Sequence, residues 1–348
     1  MGPENDNNCE SVGVPGQLPV DNPKWRSRIC NDKAMKTPQP LPALLAHAPF
    51  TFQEAVDAGV SRRRLRHQSL PSPSRGIRIP DQSLVQGQPR DVGFVRPFTA
   101  VTEFSAASHA TAFALWRFPG FLPGTDDPRI HISRPDTMAI PRRTGVVGHV
   151  GQFFDDEITS LDGLLVTTRT RTWLDVSRRM SVDELTVVAD YLVRIPRPEF
   201  EGRTEPYATL EQLADMLDRH KGTPGIRKAR LALEQARIGS DSAPETRLRL
   251  ALENAGLPEP QLNVATELGA GVVRQPDLGY LEHRVAVEYD GEPHSEPAQI
   301  VRDIAREEDF ARAGWHLVRI SKRHTENDAR SAVAKISAVL LDRGWAPK

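Results

Sequence analysis

At 348 residues the chain exceeds one ordinary domain, and two or three folded units are expected. Lys+Arg 45 against Asp+Glu 46 leaves a formal net charge of −1, so attraction to nucleic acid can come only from local clustering, not from the field of the whole molecule. Cys9 and Cys30 argue against a disulfide framework or a cysteine-rich zinc site. No stretch approaches the ~20 apolar residues of a membrane span, and the N-terminus lacks the apolar run of a secretion signal, so a cytoplasmic protein with no membrane partner is expected.

Residues 1–40 are rich in Pro, Asn, Gly and Ser and read as a disordered arm, with Met35 an alternative start. Residues 41–90 read as a winged helix-turn-helix. Leu41, Leu44 and Leu45 form a short apolar helical face, and Thr51 with Glu54 makes a capping box for a second helix that Gly59 stops. A third helix starts at Ser61 and carries Arg62, Arg63, Arg64, Arg66 and His67, and Arg75 to Ile79 would form a β-wing.

A composition change near Pro89 opens a middle α/β region, 91–205, with strands over 129–134, 145–153 and 164–166. Two helical segments follow. The second opens with Ser181 and Glu184 as a capping box and has a core face of Leu185, Val188, Ala189 and Leu192. Arg171, Thr172 and Asp175 are explained by a capped helix start. Residues 206–240 read as a helical linker, with one helix from Thr209 and another from 226 to 237.

Residues 241–348 change pattern to helix, strand, strand, helix, strand, helix. The spacing predicts helices over 299–313 and 332–341, strands over 271–279, 285–290 and 315–320, and a turn at 281–284. Trp315, Leu317 and Val318 read as core. The fold class expected for the chain is α/β (α+β overall), its C-terminal part a mixed sheet flanked by helices.

Within QPDLGY and VAVEYDGEPH, Glu288 and Asp290 lie two apart on a strand and share a face. The turn near Glu282 brings Asp277 opposite Val287 and Glu288. Like charges on one sheet face are costly unless a cation neutralises them. Mg²⁺ or Mn²⁺ held by Asp277 and Glu288 fits that chemistry, because such ions take carboxylate and water oxygens and leave room for a substrate phosphate. His294 reads either as a group that shuttles a proton or touches a leaving group, or as a lone surface histidine of the loop. Ser242-Ala243-Pro244-Glu245 is a capping box that by itself explains Glu245, yet the same residue lies on the core side, where it could reach the acidic centre; spacing does not decide between the two. On the helix that follows, intrahelical ion pairs account for Arg302 beside Asp303 and Asp309, while Arg306 is read towards the acidic centre or nucleic acid.

The segments SAPETRLRLALENAGLPEPQ, PDLGYLEHRVAVEYDGEPH and RDIAREEDFARAGWHLVRI, together spanning roughly 240–325, resemble the endonuclease-like domains related to very-short-patch mismatch-repair endonucleases. These belong to the restriction-endonuclease-like superfamily with its PD-(D/E)xK motif. The resemblance implies that Asp277 is the metal-binding aspartate, Glu288 the second acidic residue and Glu245 the helix glutamate that completes the centre. Asp290 stands where the motif has lysine, and His294 is the residue that could take that lysine's part.

At the front, Arg62, Arg63, Arg64, Arg66, Arg75 and Arg78 concentrate positive charge suited to phosphates and guanine edges. Residues 41–80 resemble the winged helix-turn-helix of the abortive-infection type IV antitoxin family, and LLVTTRTRTWLDVSRRMSVDELTVVADYL resembles the region that follows it there. That resemblance implies promoter binding and a toxin-like partner. Taken together, a DNA-binding protein with a Mg²⁺-dependent endonuclease domain is expected. RNA is not excluded as the substrate. The alternative is an antitoxin-like regulator whose nuclease fold is catalytically silent.

Overall fold

The computed structural model describes residues 38–80, 91–269, 271–291 and 297–347. His294, Met35, the boundary near Pro89 and all but the last residues of the expected arm lie outside them. The chain divides into two units, Met1–Pro40 and Leu41–Lys348. The second of these has an α/β fold with mixed sheets.

At its front, strand β1 (Phe50–Thr51) leads into helix α1 (Phe52–Asp57), and β2 (Ile77–Arg78) returns to pair antiparallel with β1. The Thr51–Glu54 capping box forms in both directions. The expected third helix does not extend over 61–67; a single 3-10 turn, Arg64–Arg66, takes its place. Adjacent like charges disfavour a longer helix, and Leu65 is the residue of that turn that is buried. Leu65 packs with Leu45, Phe50, Ala55 and Leu70 in a small core, whereas Leu44, expected on the apolar face, is exposed.

The middle region contains α2 (Val92–Ala100), β3 (Ala106–Ala107), α3 (His109–Leu115), β4 (Ile130–Pro135), β5 (Val146–Gly151), β6 (Ile158–Leu161) and β7 (Leu164–Thr167). Its sheet runs β5-β4-β3-β7-β6, with β4–β5 and β3–β7 parallel. Asp162 and Gly163, both at positive φ, join β6 to β7 as a two-residue hairpin turn, the conformation that Asp-Gly favours. Helices α4 (Arg169–Val176), α5 (Val182–Val193), α6 (Pro198–Glu201), α7 (Leu210–Arg219) and α8 (Ile226–Gln235) come next. Helices α7 and α8, expected as a linker, place Leu213, Met216, Leu217, Ala229 and Ala232 in the middle core beside the fully buried Trp173.

The last region begins with α9 (Ala243–Asn254), capped by Ser242 and followed by Gly256 at positive φ. Strands β8 (Gln261–Leu262), β9 (Thr266–Glu267), β10 (Val273–Arg274), β11 (Leu278–Tyr280) and β12 (Val285–Asp290) precede α10 (Pro297–Arg312), β13 (His316–Ser321) and α11 (Arg330–Asp342). The sheet order is β13-β12-β11-β8. The β11–β12 pair is antiparallel, and β12–β13 is parallel. Leu278, Tyr280, Val285, Val287, Val318 and Ile320 share one core with Leu248 and Leu252 of α9 and Ile336 and Leu340 of α11. Each buried aliphatic side chain there contributes roughly 1.5–3 kcal/mol relative to exposure. Among the described residues no helix is long and apolar enough to cross a membrane.

Candidate acidic centre and nucleic-acid interface

Because Val285 and Val287 point into the α9–α11 core, Glu288 and Asp290 belong to the opposite face of the same sheet. Leu278 pairs with Val287, so the register carries Asp277 opposite Glu288. Asp277 Oδ2 accepts the backbone N–H of Tyr289 at 2.7 Å, which ties the end of one strand to the next. Burial pushes the Asp277 carboxyl up to about 7; the charges of Glu245 and Glu288 add to the rise, and the Tyr289 hydrogen bond opposes it. Burial also raises Glu288, against the pull of Arg306.

Glu245 does not close the expected capping box, because its carboxylate takes the N–H of Asp241 and not that of Ser242. Its Oε1 accepts the Ser242 hydroxyl at 2.8 Å and its Oε2 the Asp241 N–H at 2.9 Å, so it secures its own helix start. Oε2 also accepts Asn263 Nδ2 at 2.9 Å, and the same carboxylate is the largest charge contribution to the rise of Asp277.

Arg306 reaches in from α10. Its Nε donates to Glu288 Oε1, and its Nη2 donates to the Gln275 carbonyl at 2.7 Å. Asp290 meets Arg319 Nη1 at 3.4 Å. Arg302 is exposed, and Asp309 is engaged by Arg274 and Arg312. Val318 is buried, and Trp315 is half-buried against Phe310 with ring centroids 6.2 Å apart.

Mg²⁺ is commonly held by one or two protein carboxylates, with water and substrate phosphate completing the shell. Asp277 and Glu288 provide such a pair of hard oxygen donors. Among the described residues no three His, Cys, Asp or Glu side chains are grouped so as to hold a metal, so a closed protein cage is not formed. The guanidinium of Arg306 is the cation that Glu288 holds in this structure.

At the front, Arg62, Arg63, Arg66 and Arg75 are exposed, Arg64 is half-buried and its Nη1 donates to Ser69 Oγ at 3.0 Å. Arg78 serves the fold itself: its Nε donates to the Leu65 carbonyl and its Nη1 to Ser72 Oγ, both at 2.8 Å, so it braces the turn that bears the other arginines.

Sequence reasoning missed a polar cluster in the middle region. His131 pairs with Val147 across the parallel β4–β5 ladder, which makes His149 its diagonal neighbour; His131 Nδ1 and His149 Nε2 lie 3.0 Å apart. His109, at positive φ at the start of α3, stacks on His149 with ring centroids 3.6 Å apart and 10° between planes. Nearly parallel rings at that separation cannot direct their in-plane lone pairs at one ion. Burial lowers both His109 and His149 to about 3. Beneath them Arg171 Nε donates to Asp175 Oδ1 at 2.8 Å and Arg171 Nη1 donates to Glu157, whose Oε1 lies 2.6 Å from His220 Nε2. Arg171 and Asp175 are therefore parts of a buried network as well as of a helix start. Their one-turn spacing was visible in the sequence, but nothing local pointed to Glu157 or the histidines.

Two uncharacterized proteins of Mycobacterium tuberculosis are similar to this chain: MT2308 of strain CDC 1551 / Oshkosh and Rv2248 of strain ATCC 25618 / H37Rv. Each is 26% identical over 218 residues, 62% of this chain and 74% of its own length. No family model and no solved structure matches the chain.

Proposed function

We propose that this protein binds DNA through its arginine-bearing front and hydrolyses phosphodiester bonds with a metal-dependent endonuclease centre in its last region. The observation that carries the reading is the β11–β12 register, which sets Asp277, just before its strand, across from Glu288 on one sheet face, with Asp277 raised to about 7. Such an arrangement of like charges gains from a cation, and its perturbed carboxyl marks it as a candidate site. A divalent ion bound by Asp277 and Glu288 would polarise a scissile phosphate and acidify a water. Glu245 holds negative charge behind Asp277 while anchoring α9. Arg306, once released from Glu288, is placed to meet a phosphate oxygen. Arg62, Arg63, Arg66 and Arg75 would contact the phosphate backbone, and Arg78 would hold their turn in shape.

A second reading has its own support. Glu288 is already neutralised by Arg306, and Asp290 replaces the lysine of the motif. On that reading the domain is catalytically silent, and the protein is an antitoxin-like repressor acting with a toxin-like partner. Purified protein incubated with supercoiled plasmid or with RNA, in Mg²⁺ or Mn²⁺, separates the two. Metal-dependent cutting that Asp277→Ala abolishes supports the nuclease. Intact plasmid and RNA alongside tight binding to the DNA upstream of its own gene would leave the repressor.

A further inference from the structure

Away from the acidic centre, an open cleft of about 810 Å³ lies in the middle region, lined by residues of β6, α4 and α7 and by Trp116 and Tyr207. Its size is that of a small-molecule site. Arg169, the first residue of α4, lies in its wall with the guanidinium carbon 4.1 Å from the ring centroid of Trp116 and 4.1 Å from that of Tyr207. An arginine clamped between two rings is held flat and has little rotamer freedom left to lose on binding.

The charges around Arg169 are unevenly matched. Arg219, the other arginine of the cleft, is engaged by Asp156 at 2.8 Å and by Glu157 at 3.7 Å. Arg203, stacked on the same Tyr207 ring, is held by Glu201 at 2.9 Å. Among the described residues Arg169 has no ion pair, which sets it apart from Arg203 and Arg219; the Nε of all three is buried without a hydrogen-bond acceptor. Buried polar groups normally have partners. The hydroxyls of Thr168 and Thr170 lie 3.3 Å apart on the same wall. On the α7 side the lining is acidic, with Asp215 and Asp218. A ligand that is anionic throughout would be repelled there. One that is anionic at one end and rich in hydrogen-bond donors at the other matches both walls.

We infer that this cleft binds a nucleoside 5′-monophosphate group, with the phosphate against Arg169 and the Thr168 and Thr170 hydroxyls, and the sugar and base donors against Asp215 and Asp218. Arginine and hydroxyl donors are the usual partners of a phosphate. Asp218 already meets Arg230 at 3.6 Å, which leaves it oxygen lone pairs for a hydroxyl or amine donor. The phosphate has two sources, a free mononucleotide or the 5′ end of a strand.

Isothermal titration calorimetry of the full chain with AMP and GMP tests the inference, with adenosine and inorganic phosphate as partial ligands. The expected result is saturable binding of at least one nucleotide, with each partial ligand at least about tenfold weaker. Arg169→Gln should weaken nucleotide binding by about tenfold or more with the melting temperature little changed. Should that variant fail to fold, Thr170→Glu places a repelling carboxylate at the phosphate end and must weaken binding as strongly. A 5′-phosphorylated oligonucleotide that displaces the nucleotide, where its unphosphorylated form does not, identifies a strand end as the source; failure of both to displace it identifies the free nucleotide. No saturable nucleotide binding, or binding indifferent to the Arg169 and Thr170 substitutions, overturns the inference.

Discussion

Arg306 donates its Nε–H to Glu288 Oε1, so the acidic face of the last sheet carries its own counter-cation on the neighbouring helix. Removing that cation leaves Glu288 beside Asp277 with only the weaker pull of Arg319 to offset its charge. Arg306→Gln should therefore cost about 1–2 kcal/mol at pH 8, the pair being only partly buried. Urea unfolding measures it, and a loss as large at pH 4, where the carboxyls are protonated, would contradict an electrostatic origin. If the centre takes a divalent ion, the same variant should bind Mn²⁺ more tightly, read by electron paramagnetic resonance, because the competing guanidinium has gone.

Asp277 gives a pH dependence with a definite sign. Its carboxyl sits at about 7 in the folded chain, against roughly 4 in the unfolded one. The folded state therefore holds the proton more tightly, and the stability this contributes is fully present below about pH 4 and lost as pH rises through 7. Asp277→Asn keeps an oxygen for the Tyr289 N–H and never ionises. With solvent screening part of the cost of ionising it, the substitution should stabilise the protein by about 2 kcal/mol at pH 8 and hardly at pH 4. Equal melting temperatures for variant and parent at pH 8 would refute the raised Asp277 carboxyl.

The stacked histidines of the middle region act in the opposite direction. His109 and His149, both held near 3, bind fewer protons folded than unfolded. Stability is present above the unfolded value of about 6.5 and is lost as pH falls towards 3. Unfolding midpoints should fall between pH 7 and pH 5, and His149→Gln should flatten that decline. A parallel decline in the variant would place the acid sensitivity elsewhere.

Arg249 is fully buried, with Nη2 2.9 Å from Asp190 Oδ2 on α5 and Nη1 3.0 Å from Glu253 Oε1. Asp190 also accepts from Thr246 at 3.0 Å and from the Arg237 N–H at 2.7 Å. Arg249→Met leaves Asp190 buried against an apolar group and should cost about 3–5 kcal/mol. Adding Asp190→Asn should restore part of that loss in equilibrium denaturation; full additivity of the two would show that they do not interact.

Strand β12 was legible because Val285-Ala286-Val287 is apolar and Asp290-Gly291 closes it, and its pairing with β11 followed from the turn. The capping box at Thr51 likewise needed only neighbouring residues, whereas at Ser181 and Ser242 the serine hydroxyl caps the helix without the expected return bond. Helix α2 was obscured by Gly93 and Pro97, both poor helix residues, whose cost is offset by burying Val95 and Phe98. The Asp162-Gly163 turn was a local hairpin signal that went unread, and β6 was missed with it. The histidine cluster was invisible for a different reason. Residues 109, 131, 149 and 175 meet only through the parallel β4–β5 pairing and the packing of α3 on α4. At the acidic centre the two strand carboxylates could be placed from the alternation of the strand. The grip of Arg306 on Glu288 depends on how α10 crosses the sheet, which no local spacing encodes.

The parallel pairing of β12 with β13 means that α10 must be laid down and looped over before the two strands can align. Contacts so distant along the chain form late, because closing the intervening segment costs entropy before any pairing compensates it. A ribosome-bound chain that has not yet released residue 321 therefore carries the acidic residues without the neighbouring strand that orders them.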